Sequence, residues 1–295
     1  MKKILCVLIS LLLLFPALAG AETVVTSFYP VWLLTLNLTE GVDGVDVVNL
    51  AEPSTGCLHD YTLQNSDMVA LSSADALLIN GAGMESFLPV IAGAYPDLPV
   101  IDATAGLPFL NEGDIVEIGE AEEGETVNSH LWMDPQRAAG MAANLADGLI
   151  RLLPDREQQI TRNLEQFRDR LLALDETMRE ELGDTGRKVI IFHEAFPYFA
   201  EACGLQVAAV VNKEPEDDLS SAALSRILAL IGSEDALPLV IKSGETDRSV
   251  EVLVSETGVP VCELDPLTTG PEDPPADYYE TVMLRNVKLL RESIN

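Results

Sequence analysis

The chain has 295 residues, long enough for two lobes of about 120 to 150 residues, each with its own buried layer. Its 48 acidic side chains against 18 basic ones leave a formal charge of -30, which excludes nucleic acid and anionic membrane as natural partners and favours cations. Aromatic residues amount to 5%, too few to line a pocket for a large flat ligand.

At the N terminus Lys2 and Lys3 precede the apolar run Ile4 to Leu14, then Pro16 and small residues. The run is too short to span a membrane and reads as a secretory signal. Residues 1–21 are therefore expected to be a signal peptide and the mature protein periplasmic. Ala19-Gly20-Ala21 satisfies the A-x-A cleavage rule, whereas Leu18-Ala19-Gly20 resembles a lipobox with Ala21 in place of its cysteine. A soluble protein without a lipid anchor is the expectation. Loss of Lys2 and Lys3 with the signal deepens the negative charge by two. Cys6 leaves as well, so Cys57, Cys203 and Cys262 remain, an odd set that permits one disulfide. Cys203 with Cys262 is the candidate pair, since both fall in the second half; buried free thiols are the alternative.

After the signal, Val24 to Ser27, Val45 to Leu50, Ala76 to Asn80 and Val100 to Asp102 read as strands. Val31 to Thr39, Thr62 to Leu71 and Glu85 to Ala94 read as the helices between them. This alternation predicts a mainly parallel sheet. Residues 111–127 then carry seven acids and no base, and are expected to form a mobile acidic loop, either a plain disordered segment or one that concentrates cations weakly. A helix follows from Pro135 to Leu153, ended by Pro154. From Asp155 to Leu182 an apolar stripe recurs at spacings of three and four through Ile160, Leu164, Phe167, Leu171, Leu174 and Met178. Twenty-eight helical residues span about 42 Å at 1.5 Å each, the height of two lobes.

Beyond Gly183 the alternation resumes with strands Lys188 to Phe192, Val207 to Val211, Leu239 to Ile241 and Val259 to Leu264. Helices Ala195 to Cys203, Leu219 to Ile231, Arg248 to Thr257 and Tyr278 to Ile294 accompany them. The fold class is α/β: an N-terminal lobe over 22–154, a rigid linking helix over 155–182 and a C-terminal lobe over 183–295, each lobe a mainly parallel sheet flanked by helices.

The sequence has three histidines, His59, His130 and His193, separated by 71 and 63 residues, so only the fold can gather them. In open α/β sheets ligands collect beyond the carboxyl ends of strands and between domains. His193 and Asp265 follow strands of the second lobe; His59 follows a strand of the first, and His130 precedes the two long helices. Three neutral imidazoles and a carboxylate suit Zn²⁺ in a tetrahedral shell. Mn²⁺ accepts the same donors but prefers more oxygen. Asp60 and Glu245 are candidates to orient a ligand or add an oxygen. A lone histidine beside a strand is more often a hydrogen-bonded structural residue, and Asp265 before Pro266 also suits the start of a turn.

Gly56-Cys-Leu-His-Asp-Tyr61, Ala76-Leu-Leu-Ile-Asn-Gly-Ala-Gly-Met-Glu85, His130-Leu-Trp-Met-Asp-Pro135, the Phe192-His193 strand end and Glu263-Leu-Asp-Pro-Leu267 resemble, in order, the motifs of zinc/manganese solute-binding proteins of ABC importers. The likeness covers essentially the whole mature chain. It implies two lobes bridged by a long helix, a divalent metal held between them by His59, His130, His193 and Asp265, and delivery to a permease in the inner membrane. In that family a glutamate at the third ligand position accompanies manganese, so His193 leans toward zinc. No catalysis is expected, and the protein is expected to act as a monomer.

Three features depart from the family pattern. The loop before His130 is acidic where zinc-specific relatives often have histidines. Cys57 stands two residues before His59, either a further zinc ligand or a packed thiol. Ala21 occupies the lipobox position. A zinc hydrolase is the first rival, with Glu194 as a base beside His193, but H-E-x-x-H spacing is absent and Asp265 would fill the open coordination position. A receptor for a haem or siderophore chelate is the second, for which aromatic and basic residues are scarce. Metal binding by imidazole predicts affinity falling below about pH 6.5.

Overall fold

The computed structural model describes residues 21–52, 61–110, 116–119, 127–183, 188–212, 219–233, 238–244 and 248–294. The expected signal up to residue 20, the candidates Cys57, His59, Asp60 and Glu245, and most of the acidic stretch lie outside the described residues.

The first sheet contains β1 (Glu22–Thr26), β2 (Val45–Asn49), β3 (Ala76–Ile79) and β4 (Val100–Asp102), all parallel in the order β2-β1-β3-β4. Helices α1 (Tyr29–Thr39), α2 (Asn65–Ser72) and α3 (Leu88–Ala94) make the returns. Two starts come later than the sequence suggests, for local reasons. Gln64 and Asp67 form a reciprocal capping box, with the Gln64 amide donating to Asp67 Oδ2 at 2.6 Å, so α2 begins at Asn65 and not at Thr62. Glu85 is drawn back into the preceding loop, and α3 begins only at Leu88.

Helix α4 (Pro135–Leu152) has proline at its first position and Asp134 as its cap, with Oδ1 accepting from Gln136 N at 2.7 Å and Arg137 N at 3.0 Å. A single 3-10 turn over Pro154–Arg156 reverses the chain into α5 (Glu157–Leu182). The 26 residues of α5 span about 39 Å. Its stripe Ile160, Phe167, Leu171, Leu174, Met178 and Leu182 is buried, against α4, α1 and the C-terminal helix. Asn163 Nδ2 fastens it to the end of α1 by donating to Leu38 O and Glu40 O, both at 2.9 Å.

The second sheet contains β5 (Glu117–Gly119), β6 (Lys188–Ile191), β7 (Gln206–Asn212), β8 (Leu239–Lys242) and β9 (Val261–Leu264), in the order β5-β7-β6-β8-β9, again parallel. Helices α6 (Phe196–Ala202), α7 (Ser221–Ser233), α8 (Arg248–Thr257) and α9 (Tyr278–Ile294) complete it. Strand β5 corrects the reading of 111–127 as an irregular loop. Glu117 to Gly119 pair with Val210 to Asn212, and Ile118 is buried in the second core. This strand precedes α4 yet belongs to the later sheet, so a boundary at 154 does not separate the sheets. Pro260, which lacks an N–H, delays β9 to Val261.

Residues of the second sheet alternate between two cores. Val189, Ile191, Val210, Val240, Cys262 and Leu264 face the large core shared with the first sheet and α5. Ile190, Ala209, Val211, Leu239 and Ile241 face a smaller core closed by α7 and α8. The candidate disulfide does not form: Cys203 and Cys262 are both free and buried. Burial pushes the Cys203 thiol far up and that of Cys262 to about 11, so neither supplies a thiolate at neutral pH. Among the described residues no helix is long and apolar enough to cross a membrane.

Candidate metal centre

In the first sheet β1 leads to β2 on one side and β3 lies on the other, which opens a crevice beyond the carboxyl ends of β1 and β3. Glu85 fills it. Its Oε1 accepts from Ser27 Oγ and Asn80 N, both at 2.7 Å, and its Oε2 from Gly81 N at 3.0 Å. Burial pushes this carboxyl above its ordinary value, against the three donors that favour its ionised form. Gly81 has φ +85°, and a Cβ there would stand 2.1 Å from Asp102 Oδ1, so only glycine fits. Asn80 Nδ2 then donates to Ser129 O at 3.0 Å, one residue before His130.

The second sheet holds the same short segment from its own side. Asn128 Nδ2 donates to Glu194 O at 2.7 Å, and Asn128 O accepts from the Tyr198 hydroxyl at 2.8 Å. With its nitrogen committed to a carbonyl, the Asn128 amide presents Oδ1 to His130. That oxygen accepts the His130 backbone N–H at 3.0 Å and lies 3.0 Å from the ring Nδ1. An amide oxygen can only accept, so this arrangement assigns the ring proton to Nδ1 and the lone pair to Nε2. A neutral imidazole with one nitrogen held by an acceptor and the other carrying its lone pair is ready to ligate a metal.

The His130 ring is buried against Trp132, with centroids 4.9 Å apart. Trp132 is fully buried and joins three parts of the molecule. Its ring meets Phe28 edge-on at 5.2 Å, its Nε1 donates to Pro266 O at 2.9 Å, and its carbonyl accepts from the Tyr279 hydroxyl at 2.6 Å. Close by, Gly270 allows Tyr29 to approach, since a Cβ would meet the Tyr29 hydroxyl at 2.2 Å. Asp134 and Pro135 of the same motif start α4, and the Asp134 carboxylate also pairs with Arg137 at 2.5 Å.

His193 lies two residues beyond β6 and is half-buried; its Nδ1 accepts from Ala195 N at 3.2 Å. Its ring centroid stands 6.0 Å from that of His130, so the structure brings these two histidines together. Asp265 follows β9, and Trp132 binds the adjacent Pro266 carbonyl. The Asp265 carboxylate, however, accepts from Leu267 N at 2.8 Å and pairs with Arg285 at 2.5 Å. Among the described residues no three His, Cys, Asp or Glu side chains are gathered closely enough to hold a metal ion. His59, Asp60 and Glu245 fall outside the described residues.

Two neighbours of His130 escape a reading by ligand type. Asn128 was legible only as the Asn of Asn128-Ser-His130, the spacing at which an Asn side chain bonds the backbone two residues on. Glu194, weighed above only as a hydrolytic base, places Oε1 3.8 Å from His130 Nε2.

Two parallel sheets bound by a long helix, with paired imidazoles where their strand edges meet, define a bilobed α/β binding protein. Residues 24–293 match the family described as "Zinc-uptake complex component A periplasmic", and the chain belongs to that family, which is one of metal-uptake components and not of enzymes. It is 26% identical over 312 residues to the zinc-binding lipoprotein AdcA of Streptococcus pneumoniae serotype 4, a match covering 99% of this chain and 61% of that protein's length. It is 26% identical over 284 residues to the high-affinity zinc uptake system protein ZnuA of Yersinia pestis, covering 88% of each. A solved structure of the P. aeruginosa SBP FpvC in complex with a Ni²⁺ ion shares the fold, with TM-score 0.78 and 23% identity over 93% of this chain and 97% of that one.

Proposed function

We propose that this chain captures one divalent metal ion where its two sheets meet and hands it to an ABC permease, with Zn²⁺ preferred and Mn²⁺ as the alternative. The observation that carries this reading is the pair His130 and His193, with ring centroids 6.0 Å apart and the His130 proton held on Nδ1 by Asn128. Two such rings ligating one tetrahedral ion through nitrogen would have centroids about 5 Å apart, within a small rotation of what is seen. The proposed ligand set is His59, His130, His193 and Asp265, with Asp60 and Glu245 in support. For Asp265 to join, its carboxylate exchanges Arg285 for the metal. The donor chemistry and the two relatives named for zinc favour that metal, and 22–154, less the β5 segment that pairs with β7, and 183–295 with that segment serve as the two halves of the receptor on the strut 155–182.

Elemental analysis of the purified protein, followed by competition between Zn²⁺ and Mn²⁺, tests this. One ion per chain is expected in the wild type and none in His130→Ala. Stoichiometric loading of His130→Ala would overturn the reading. Affinity measured from pH 7.5 to 5 is expected to fall below about 6.5, as protons compete for the imidazoles.

A further inference from the structure

We propose that Glu194 contacts the captured metal, its carboxylate and His130 Nε2 closing on the same cation; this rests on the metal-receptor reading above. The argument begins with Asn128, whose amide oxygen puts the His130 ring proton on Nδ1 and so turns a lone pair outward at Nε2. Facing that nitrogen at 3.8 Å is Oε1 of Glu194. An imidazole lone pair and a carboxylate oxygen repel when they point at one another, and a cation between them converts the repulsion into two bonds.

The spacing suits a metal. Counted with the four ligands proposed above, Glu194 makes a five-coordinate shell, in which adjacent donors at about 2.0 to 2.2 Å from the ion stand roughly 2.8 to 3.8 Å apart, a range that reaches the observed separation. Asn128 contributes to both sides, because the nitrogen of the same amide holds the Glu194 carbonyl at 2.7 Å. The alternative carboxylate, Asp265, is engaged by Arg285 and the Leu267 amide. Glu194 places a carboxylate oxygen against His130 Nε2, and with 39% of its side chain exposed it is within reach of an arriving ion. An added oxygen donor moves an imidazole site toward cations that prefer oxygen, so Glu194 raises Mn²⁺ affinity relative to Zn²⁺.

Glu194→Gln in the mature chain, titrated with Zn²⁺ and Mn²⁺ against a chelating indicator and loaded with Co²⁺ for visible spectroscopy, tests the contact. The expected result is a Mn²⁺ affinity lower by about tenfold or more, a smaller loss for Zn²⁺, and a Co²⁺ spectrum altered by the lost oxygen donor. A Mn²⁺ to Zn²⁺ affinity ratio that does not fall, or a Co²⁺ spectrum superimposable on that of the wild type, would overturn it. His130→Ala runs beside it as a separate arm: if that variant still loads metal, the receptor reading fails, whatever Glu194 does.

Discussion

The second sheet sends its two faces into different cores, whereas both faces of the first sheet lie in a single one. Val24 and Val25, neighbours on β1 that point opposite ways, sit in the same large cluster, as do Leu77 and Leu78 on β3. On β6, Val189 and Ile191 belong to that cluster while Ile190 between them belongs to the smaller one. The inner face of the second sheet is thus continuous with the first sheet through Trp132, α5 and α9, and its outer face is a separate layer with α7 and α8. His130 and His193 stand on the continuous side, where packing fixes their separation.

The largest effect is expected at the junction. Trp132→Ala should cost about 3 to 5 kcal/mol in denaturant unfolding, leave Pro266 O without its indole donor and Phe28 without its edge-on ring, and abolish metal loading. A variant that kept both stability and loading would show that the sheets are not joined there. Leu253→Ala, in the outer core, should cost about 2 to 5 kcal/mol yet leave metal affinity unchanged, with faster hydrogen exchange confined to β7, α7 and α8. Loss of affinity in that variant would dissolve the distinction between the two layers.

Asn128→Ala sharpens the comparison at the site itself. Metal affinity is expected to fall about 10- to 100-fold, with little change in the unfolding of metal-free protein. Nitrogen-15 NMR of the metal-free chain should show the His130 proton on Nδ1 in the wild type and redistributed in the variant. Arg170 links α5 to both sides of the molecule, through Glu280 Oε1 at 2.7 Å, Ala276 O at 3.2 Å and Asn37 Oδ1. Because its guanidinium is partly exposed, Arg170→Ala should cost only about 1 kcal/mol.

The smallest effect concerns Glu85. Burial raises its carboxyl in the folded chain above the ordinary 4.5, so the folded state keeps this proton to a higher pH than the unfolded state. Its contribution is complete below that ordinary value and is lost as pH rises through the folded one. Melting temperatures recorded from pH 4 to 8 should therefore decline more for the wild type than for Glu85→Gln; parallel curves would contradict the buried titration. The acidic surface weakens both proteins alike and cancels in the comparison.

Most elements were legible because their signals are local. The α5 stripe, Pro135 at the start of α4 and the βαβ alternation each follow from the period of apolar residues or from one proline. The misses have non-local causes. Strand β5 is three residues long and exists because Val210 to Asn212 offer a parallel edge, which no property of Glu117 to Gly119 announces. Cys203 and Cys262 share a core without bonding, since packing a thiol and meeting disulfide geometry are separate demands.

By itself, the sequence determined the fold class and the long strut and singled out His130 and His193 as candidates, because periodicity, capping residues and rare histidines at strand ends are written along the chain. Only the tertiary structure decided which side chains surround those rings. That Asn128 sets the His130 tautomer, that Glu194 faces its other nitrogen and that Arg285 holds Asp265 all depend on distances between separate elements. Such distances follow from how two sheets pack on one helix, and no local pattern of residues encodes them.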